Sequence, residues 1–228
     1  MLTTRYFTFI HVQKTGGKFI KSVCREYLPA DWIVPNTWDD HAGLKQIPPE
    51  CNGRPVFAAI RNPWDWYVSW YHFTRQRDRW DADYEESSDW RWAFDSGHAS
   101  FKQAVSALCG VPIPSAERSG PASEPGWVAK ARGHDWDLYS HWCHIVLREG
   151  PVTGQIEMGR YEQLAGDFLA FLERHEVPIG EPFARALKTA PRVNTSEHGP
   201  YRDYYDAELR ELVRHKCRGI VDRYGYEF

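Results

Sequence analysis

The sequence predicts an α/β fold, a central parallel sheet flanked by helices, and three observations carry that expectation. Two short apolar runs, Arg5–Val12 and Arg54–Arg61, are rich in β-branched and aromatic residues and bounded by turn chemistry, as buried strands are. Each is followed by a stretch with helical spacing of its apolar residues. Strand and helix then alternate through the first 80 residues, which suits right-handed crossovers between parallel strands. A chain of 228 residues, 42% hydrophobic and 26% charged, can bury one full core of this kind. A single domain over residues 1–228 is expected.

The elements follow in order. After the first strand, Gly17–Tyr27 reads as a helix: Phe19, Ile20, Val23, Cys24 and Tyr27 recur at helical spacing, and Pro29 stops it. Trp32–Val34 reads as a short second strand, Pro35–Asp40 as a loop, and His41–Gln46 as a short helix ended by Pro48 and Pro49. Arg54–Arg61 is the next buried strand. Pro63 then opens a helix in the favoured first-turn position, running to about Arg79. Asp78–Asp95 mixes acids with tryptophans and suits a helix with a solvated face or a cleft rim. Ser100–Leu108 reads as a helix. Pro112–Gly126 (PIPSAERSGPASEPG) reads as a mobile loop. Tyr139–Val146 and Gln155–Tyr161 read as strands, Gln163–His175 as a helix, and Asp206–Arg223 as a closing helix before YGYEF.

Charge and cysteine content narrow the class. The formal net charge is -3, so no nucleic-acid partner is expected and any anion site must be local. The five cysteines form no CxxC pair and are odd in number, which suits reduced thiols in a cytoplasmic protein. No 18-residue apolar run and no signal-peptide core occur, so no integral membrane segment is expected. The 11 tryptophans exceed what a core of this size needs, and some suit a cleft that stacks on sugar rings.

Chemistry first shows at residues 13–18, QKTGGK. A strand that ends in a glycine-containing loop and opens a helix is a ready anion cradle. Glycines let backbone N–H groups approach, the helix N-terminus adds partial positive charge, and lysine adds a full one. A tight turn with surface lysines explains this stretch equally well. It is not the nucleotide-kinase loop GxxxxGK[ST]: no glycine stands five residues before Gly17, and Phe19 replaces the magnesium-binding hydroxyl. No metal is therefore expected. A second constellation is IRNPWDWYVSWYHF, residues 60–73. Arg61 ends a strand and can offer a bidentate fork to phosphate, and Ser69 lies two turns into the following helix.

HVQKTGG together with RNPWDWYVSWY resembles the sulfotransferases that use 3'-phosphoadenosine 5'-phosphosulfate (PAPS), more closely the carbohydrate branch with its heparan and chondroitin sulfotransferases and soluble bacterial relatives. NTSEHGPYRDYY, residues 194–205, with its following helix and YGYEF, looks like the C-terminal end of that family. The resemblance is weakest from Trp80 to Gly150. It implies a P-loop-like three-layer fold and PAPS as sulfuryl donor. It assigns the 5'-phosphosulfate to Lys14, Thr15, Gly16, Gly17, Lys18 and Phe19, and the 3'-phosphate to Arg61 and Ser69. It makes Asn194, Thr195 and Ser196 a loop closing over the phosphates, helped by Tyr201 and Arg202. Two positions depart from the family pattern. Lys18 stands where Thr or Ser is usual, and Trp66 stands where a second arginine is common.

Sulfuryl transfer needs an acceptor oxygen in line with the sulfur and charge stabilisation on the leaving phosphate. Lys14 is the candidate for the second task. A histidine suits the base, and His41 in WDDHAGLKQIP is the leading candidate, with Asp39 or Asp40 orienting its ring. The resemblance also implies a histidine base at His41. An acid within Asp81–Glu86 is the runner-up. His11, inside the first strand, reads as a packed core residue. The net-acidic chain favours a neutral carbohydrate or small hydroxylated acceptor, with the Pro112–Gly126 loop as its gate. A P-loop phosphotransferase (kinase) and a non-catalytic nucleotide-binding protein are the alternative functions. The sequence gives no reading of the oligomeric state.

Overall fold

The computed structural model describes residues 1–35, 41–75, 100–111, 137–147, 156–193 and 195–228. Among the described residues the chain is α/β, with a four-stranded mixed sheet and flanking helices. It divides into two compact units, each built from two segments. Residues 1–61 and 142–194 form the first, and residues 62–141 and 195–228 the second.

The first unit holds the sheet, in the order β1 (Leu2–Thr3), β2 (Thr8–Ile10), β3 (Val56–Ile60), β4 (Ile156–Arg160). β2, β3 and β4 run parallel, with Phe9 opposite Phe57 and Phe57 opposite Glu157. β1 runs antiparallel to β2, so the expected all-parallel sheet is corrected to a mixed one. The cause is a tight turn inside the expected Arg5–Val12 strand. The Thr4 hydroxyl donates to the Phe7 carbonyl at 2.9 Å and accepts from the Phe7 N–H at 2.9 Å. This folds the first residues back as an edge strand.

All five residues of β3 are buried, as its continuous apolar run requires. Helix α1 (Gly17–Tyr27) has the expected bounds and buries Phe19, Ile20, Val23 and Cys24. These join Phe7, Phe9 and Phe57 in one core with Phe168, Phe171 and Leu172. Phe168 and Phe171 lie on α5 (Leu164–Arg174), which follows β4. Trp32–Val34 is not a strand. A 3-10 turn occupies Ala30–Trp32, and a single bridge joins Ile33 to Thr4. Pro29 and Pro35 leave the segment no length for a ladder. The expected helix at His41–Gln46 is a 3-10 turn, Leu44–Gln46. Helix α6 (Glu181–Thr189) had not been expected. Gly180 precedes it, Pro182 lies in its first turn, and Phe183, Ala186 and Leu187 are its buried stripe.

The described residues of the second unit form helices and turns. α2 (Pro63–Arg75) packs with α3 (Phe101–Leu108), with the 3-10 turn Tyr201–Tyr204 and with α7 (Ala207–Lys216). Ser100 caps α3 with its hydroxyl on the Gln103 N–H. The closing helix expected at Asp206–Arg223 is broken at Cys217 into α7 and α8 (Arg218–Tyr224). Tyr139–Val146, expected as a strand, belongs instead to helix α4 (Leu138–Leu147), whose residues from Trp142 onward belong to the first unit. Its aromatic and β-branched run fits either state. Asp137 decides it: its Oδ1 accepts from the Ser140 N–H at 2.7 Å and its carbonyl from the His141 N–H at 2.9 Å, as a helix cap does. Asp78–Asp95 and Pro112–Gly126 fall in or across stretches outside the described residues.

Candidate functional site

β2 delivers the chain at its carboxyl end to the turn that opens α1. Lys14 there takes a left-handed conformation, φ 59°. Gly16 does the same at φ 81° and stands as the N-cap. Gly16 has no side chain to cap the helix, and no acid lies in the first turn. The leading N–H groups of α1 therefore meet neither a side-chain cap nor a neutralising carboxylate on that turn, which is the electrostatic form of an anion site.

Both glycines have packing reasons as well. A Cβ on Gly16 would stand 2.5 Å from Leu164 Cδ2 and 3.3 Å from the Tyr161 ring. A Cβ on Gly17 would fall inside the imidazole of His11. The Thr15 side chain is fully buried and its hydroxyl donates to the Val12 carbonyl at 2.8 Å. Phe19 is 5% exposed and its ring lies in the core. Turn closure thus engages the Thr15 hydroxyl and the hydrophobic core the Phe19 ring, so neither side chain is placed for the expected phosphate contact. Lys18 is exposed and Lys14 half-buried.

Arg61 leaves the end of β3 with 5% of its surface exposed. Its Nη1 donates to the Lys14 carbonyl at 3.1 Å, so it holds the strained lysine in place. Its guanidinium also lies 4.1 Å from the centre of the Tyr161 ring. The structure thus brings together Lys14 and Arg61, which the sequence placed on one edge.

His41 is positioned by His11. The His41 Nδ1 lies 3.3 Å from the His11 carbonyl, which can only accept, so Nδ1 carries the proton and the lone pair of the neutral ring is on Nε2. The two rings lie 4.5 Å apart between centroids, tilted by 36°, and the Trp142 ring centre lies 5.8 Å from that of His41. His11 is an interior residue, as expected. Its Nδ1 is buried with no hydrogen-bond partner among the described residues. Burial pushes the His11 pKa well below the ordinary imidazole value, and His41, Lys21, the chain's amino terminus and Lys18 push it the same way. Lys21, on α1, is 2% exposed. Asp39, Asp40 and Asp81–Glu86 lie outside the described residues.

In the second unit Ser69 is 3% exposed and its hydroxyl lies 3.2 Å from that of Ser196. The His72 ring, one turn further along α2, lies 5.5 Å from that of His198, tilted by 31°. Thr195 is exposed, and Arg202 lies over the rings of Tyr201 and Phe228 at 4.9 and 5.8 Å. Trp66 is fully buried, stacked on Tyr139 at 4.5 Å and 12°. Asn194 lies outside the described residues.

Sequence reasoning passed over Lys21, Tyr161, Arg192 and Trp142 as site residues. Tyr161 carried a signal, since it is the last residue of the expected strand Gln155–Tyr161. Arg192 carried none. Compared with protein-family models, with curated proteins and with solved structures, the chain matches none. Among the described residues, no helix is long and apolar enough to cross a membrane.

Proposed function

We propose that this protein is a sulfotransferase, moving a sulfuryl group from PAPS to a hydroxyl of a carbohydrate or other hydroxylated acceptor, on a P-loop-like three-layer fold. The observation that carries the reading is the opening of α1: an uncapped helix N-terminus with Lys14 beside it, pinned by a buried arginine from the next parallel strand. These groups fit a phosphosulfate anhydride, which supplies an activated sulfuryl group on a phosphate leaving group. The N–H groups of Gly17, Lys18 and Phe19 hold the phosphate, and the Lys14 ammonium stabilises charge as it builds on the leaving oxygen. The acceptor oxygen bonds to sulfur as the bond from sulfur to the bridging oxygen breaks. The acceptor proton passes to Nε2 of His41, the nitrogen the His11 carbonyl leaves basic. The second product is 3'-phosphoadenosine 5'-phosphate.

Calorimetric titration without metal, using 3'-phosphoadenosine 5'-phosphate beside ADP and ATP with magnesium, tests the reading. The 3'-phosphorylated nucleotide is expected to bind best. Lys14→Ala should weaken it roughly tenfold to a hundredfold, the worth of one charge-assisted contact. His41→Asn should leave binding intact and abolish sulfuryl turnover with a sugar acceptor. Equal or better binding of ATP with magnesium would move a phosphotransferase to the front. Tight binding with no turnover on any hydroxyl would leave a nucleotide-binding protein without catalysis.

A further inference from the structure

His41 has an aromatic neighbour within its own unit. Trp142, on α4, places its ring centre 5.8 Å from that of His41, tilted by 55°. Main-chain packing fixes this spacing. A Cβ on Gly43 would stand 2.8 Å from Val146 Cα and 2.9 Å from the Val146 carbonyl oxygen. The segment that carries His41 therefore touches the backbone of α4 one turn beyond Trp142. On its other side the His41 ring is held through Nδ1 by the His11 carbonyl. Two separate contacts thus set the imidazole against the indole.

Trp142 is half-buried. An indole offers an apolar face and one N–H donor. The face carries negative partial charge, which attracts slightly positive C–H groups and repels carboxylate and sulfate. Ile145, three residues on and so on the same side of the helix, is 48% exposed and extends the apolar surface. A pyranose ring has the matching form, with C–H groups gathered on a face and hydroxyls projecting from the rim. Laid on the indole, it turns its rim toward the imidazole. An open-chain polyol has no such face, and an acidic sugar meets the wrong sign of charge.

We propose, resting on the sulfuryl-transfer reading above, that Trp142 is the acceptor platform and that the acceptor is a neutral pyranoside. Trp142 selects the sugar by shape and charge and brings a rim hydroxyl to His41, which takes its proton. A sugar hydroxyl holds that proton more tightly than a phenol does, and so needs a positioned base.

The test is saturation-transfer NMR on wild type, Trp142→Ala and Trp142→Phe, with 3'-phosphoadenosine 5'-phosphate present. The probes are methyl glucopyranoside and methyl galactopyranoside as neutral sugars, methyl glucuronide as the acidic one, and glycerol. Wild type should transfer to the ring C–H protons of a neutral glycoside and little to the glucuronide or glycerol. Trp142→Ala should weaken glycoside binding roughly tenfold while leaving nucleotide affinity within about twofold. Trp142→Phe keeps a ring and should recover part of the loss. Should Trp142→Ala lose the nucleotide as well, Trp142→Phe carries the comparison: weaker glycoside binding at unchanged nucleotide affinity sustains the proposal, and binding equal to wild type overturns it. No transfer to either neutral glycoside, no loss in Trp142→Ala, or equal transfer to the glucuronide also overturns it. A wild type that does not bind the nucleotide defeats the sulfuryl-transfer reading by itself. The nucleotide-free protein then decides the platform: glycoside transfer that Trp142→Ala abolishes sustains a sugar site, and transfer that is absent or unchanged ends it.

Discussion

At Gly17 there is no room for a side chain, because the His11 imidazole occupies the space a Cβ would take. The glycine pair of the turn thus serves packing whether or not an anion binds. Gly17→Ala should destabilise the protein by about 1–3 kcal/mol through overpacking. Adding His11→Ala should return part of that loss, a coupling that denaturant unfolding of the single and double variants would measure. Additive losses would mean the glycine is needed for some reason other than His11. The same residues show what the sequence could disclose. Lys14 and Arg61 were legible because Lys14 comes two residues after one apolar run and Arg61 ends the other, and strand ends of one parallel sheet share an edge. The fate of the Thr15 hydroxyl and the Phe19 ring was not legible. A turn bond to Val12 and a core contributed by Phe57, Phe168 and Leu172 decide it, and both depend on three-dimensional neighbours.

At the scale of elements, α4 shows where local pattern fails. Residues 139–146 combine aromatic and β-branched types, and a short apolar run does not distinguish strand from helix. The deciding signal is the residue just before Leu138, where α4 begins. Asp137 is fully buried, caps Ser140, and places Oδ2 2.6 Å from the Cys217 Sγ at the break between α7 and α8. Asp137→Ala should cost about 1–3 kcal/mol, since it removes a cap and leaves the part-buried Ser140 N–H without its partner. Asp137→Asn keeps an acceptor for Ser140 and should lose much less. A comparable loss in both variants, read from thermal or denaturant unfolding, would show that the charge rather than the cap matters. α1, β3 and β4 were legible because their apolar spacing is long or unbroken. α6 was legible too, in Glu181, Pro182 and the Phe183, Ala186, Leu187 stripe, but was passed over.

Over the whole molecule two buried groups oppose each other as pH changes. Burial holds the His11 pKa well below its ordinary value near 6.5, so the folded state binds fewer protons there than the unfolded chain. Its contribution is complete above that value and is lost as pH falls toward the folded pKa. Burial raises the Asp137 pKa above 3.8, against the hydrogen bonds from Cys217 and Ser140. A raised carboxyl stabilises most below its unfolded value, and that contribution is lost as pH rises through the folded one. On acidification from about pH 6.5, His11 lowers stability while Asp137 restores some. Asp137→Asn should therefore steepen the acid loss, and His11→Phe, which keeps a ring against Gly17, should flatten it. Unfolding free energies measured at pH 4 to 7 would reveal either slope, and parallel curves for all three proteins would refute the assignment.

The interleaving of the chain has a consequence for synthesis. Residues 1–61 and 142–194 make one unit, and residues 62–141 lie between them. A ribosome releasing the chain from its N-terminus delivers β3 long before β4, the strand that covers its open edge. Through that interval the unpaired N–H and C=O groups of an entirely apolar strand face the surroundings, a template for pairing with another nascent chain. The growing polypeptide is thus most vulnerable to aggregation before residue 156 emerges, and a chaperone that shields Val56–Ile60 over that interval would raise the yield of folded protein.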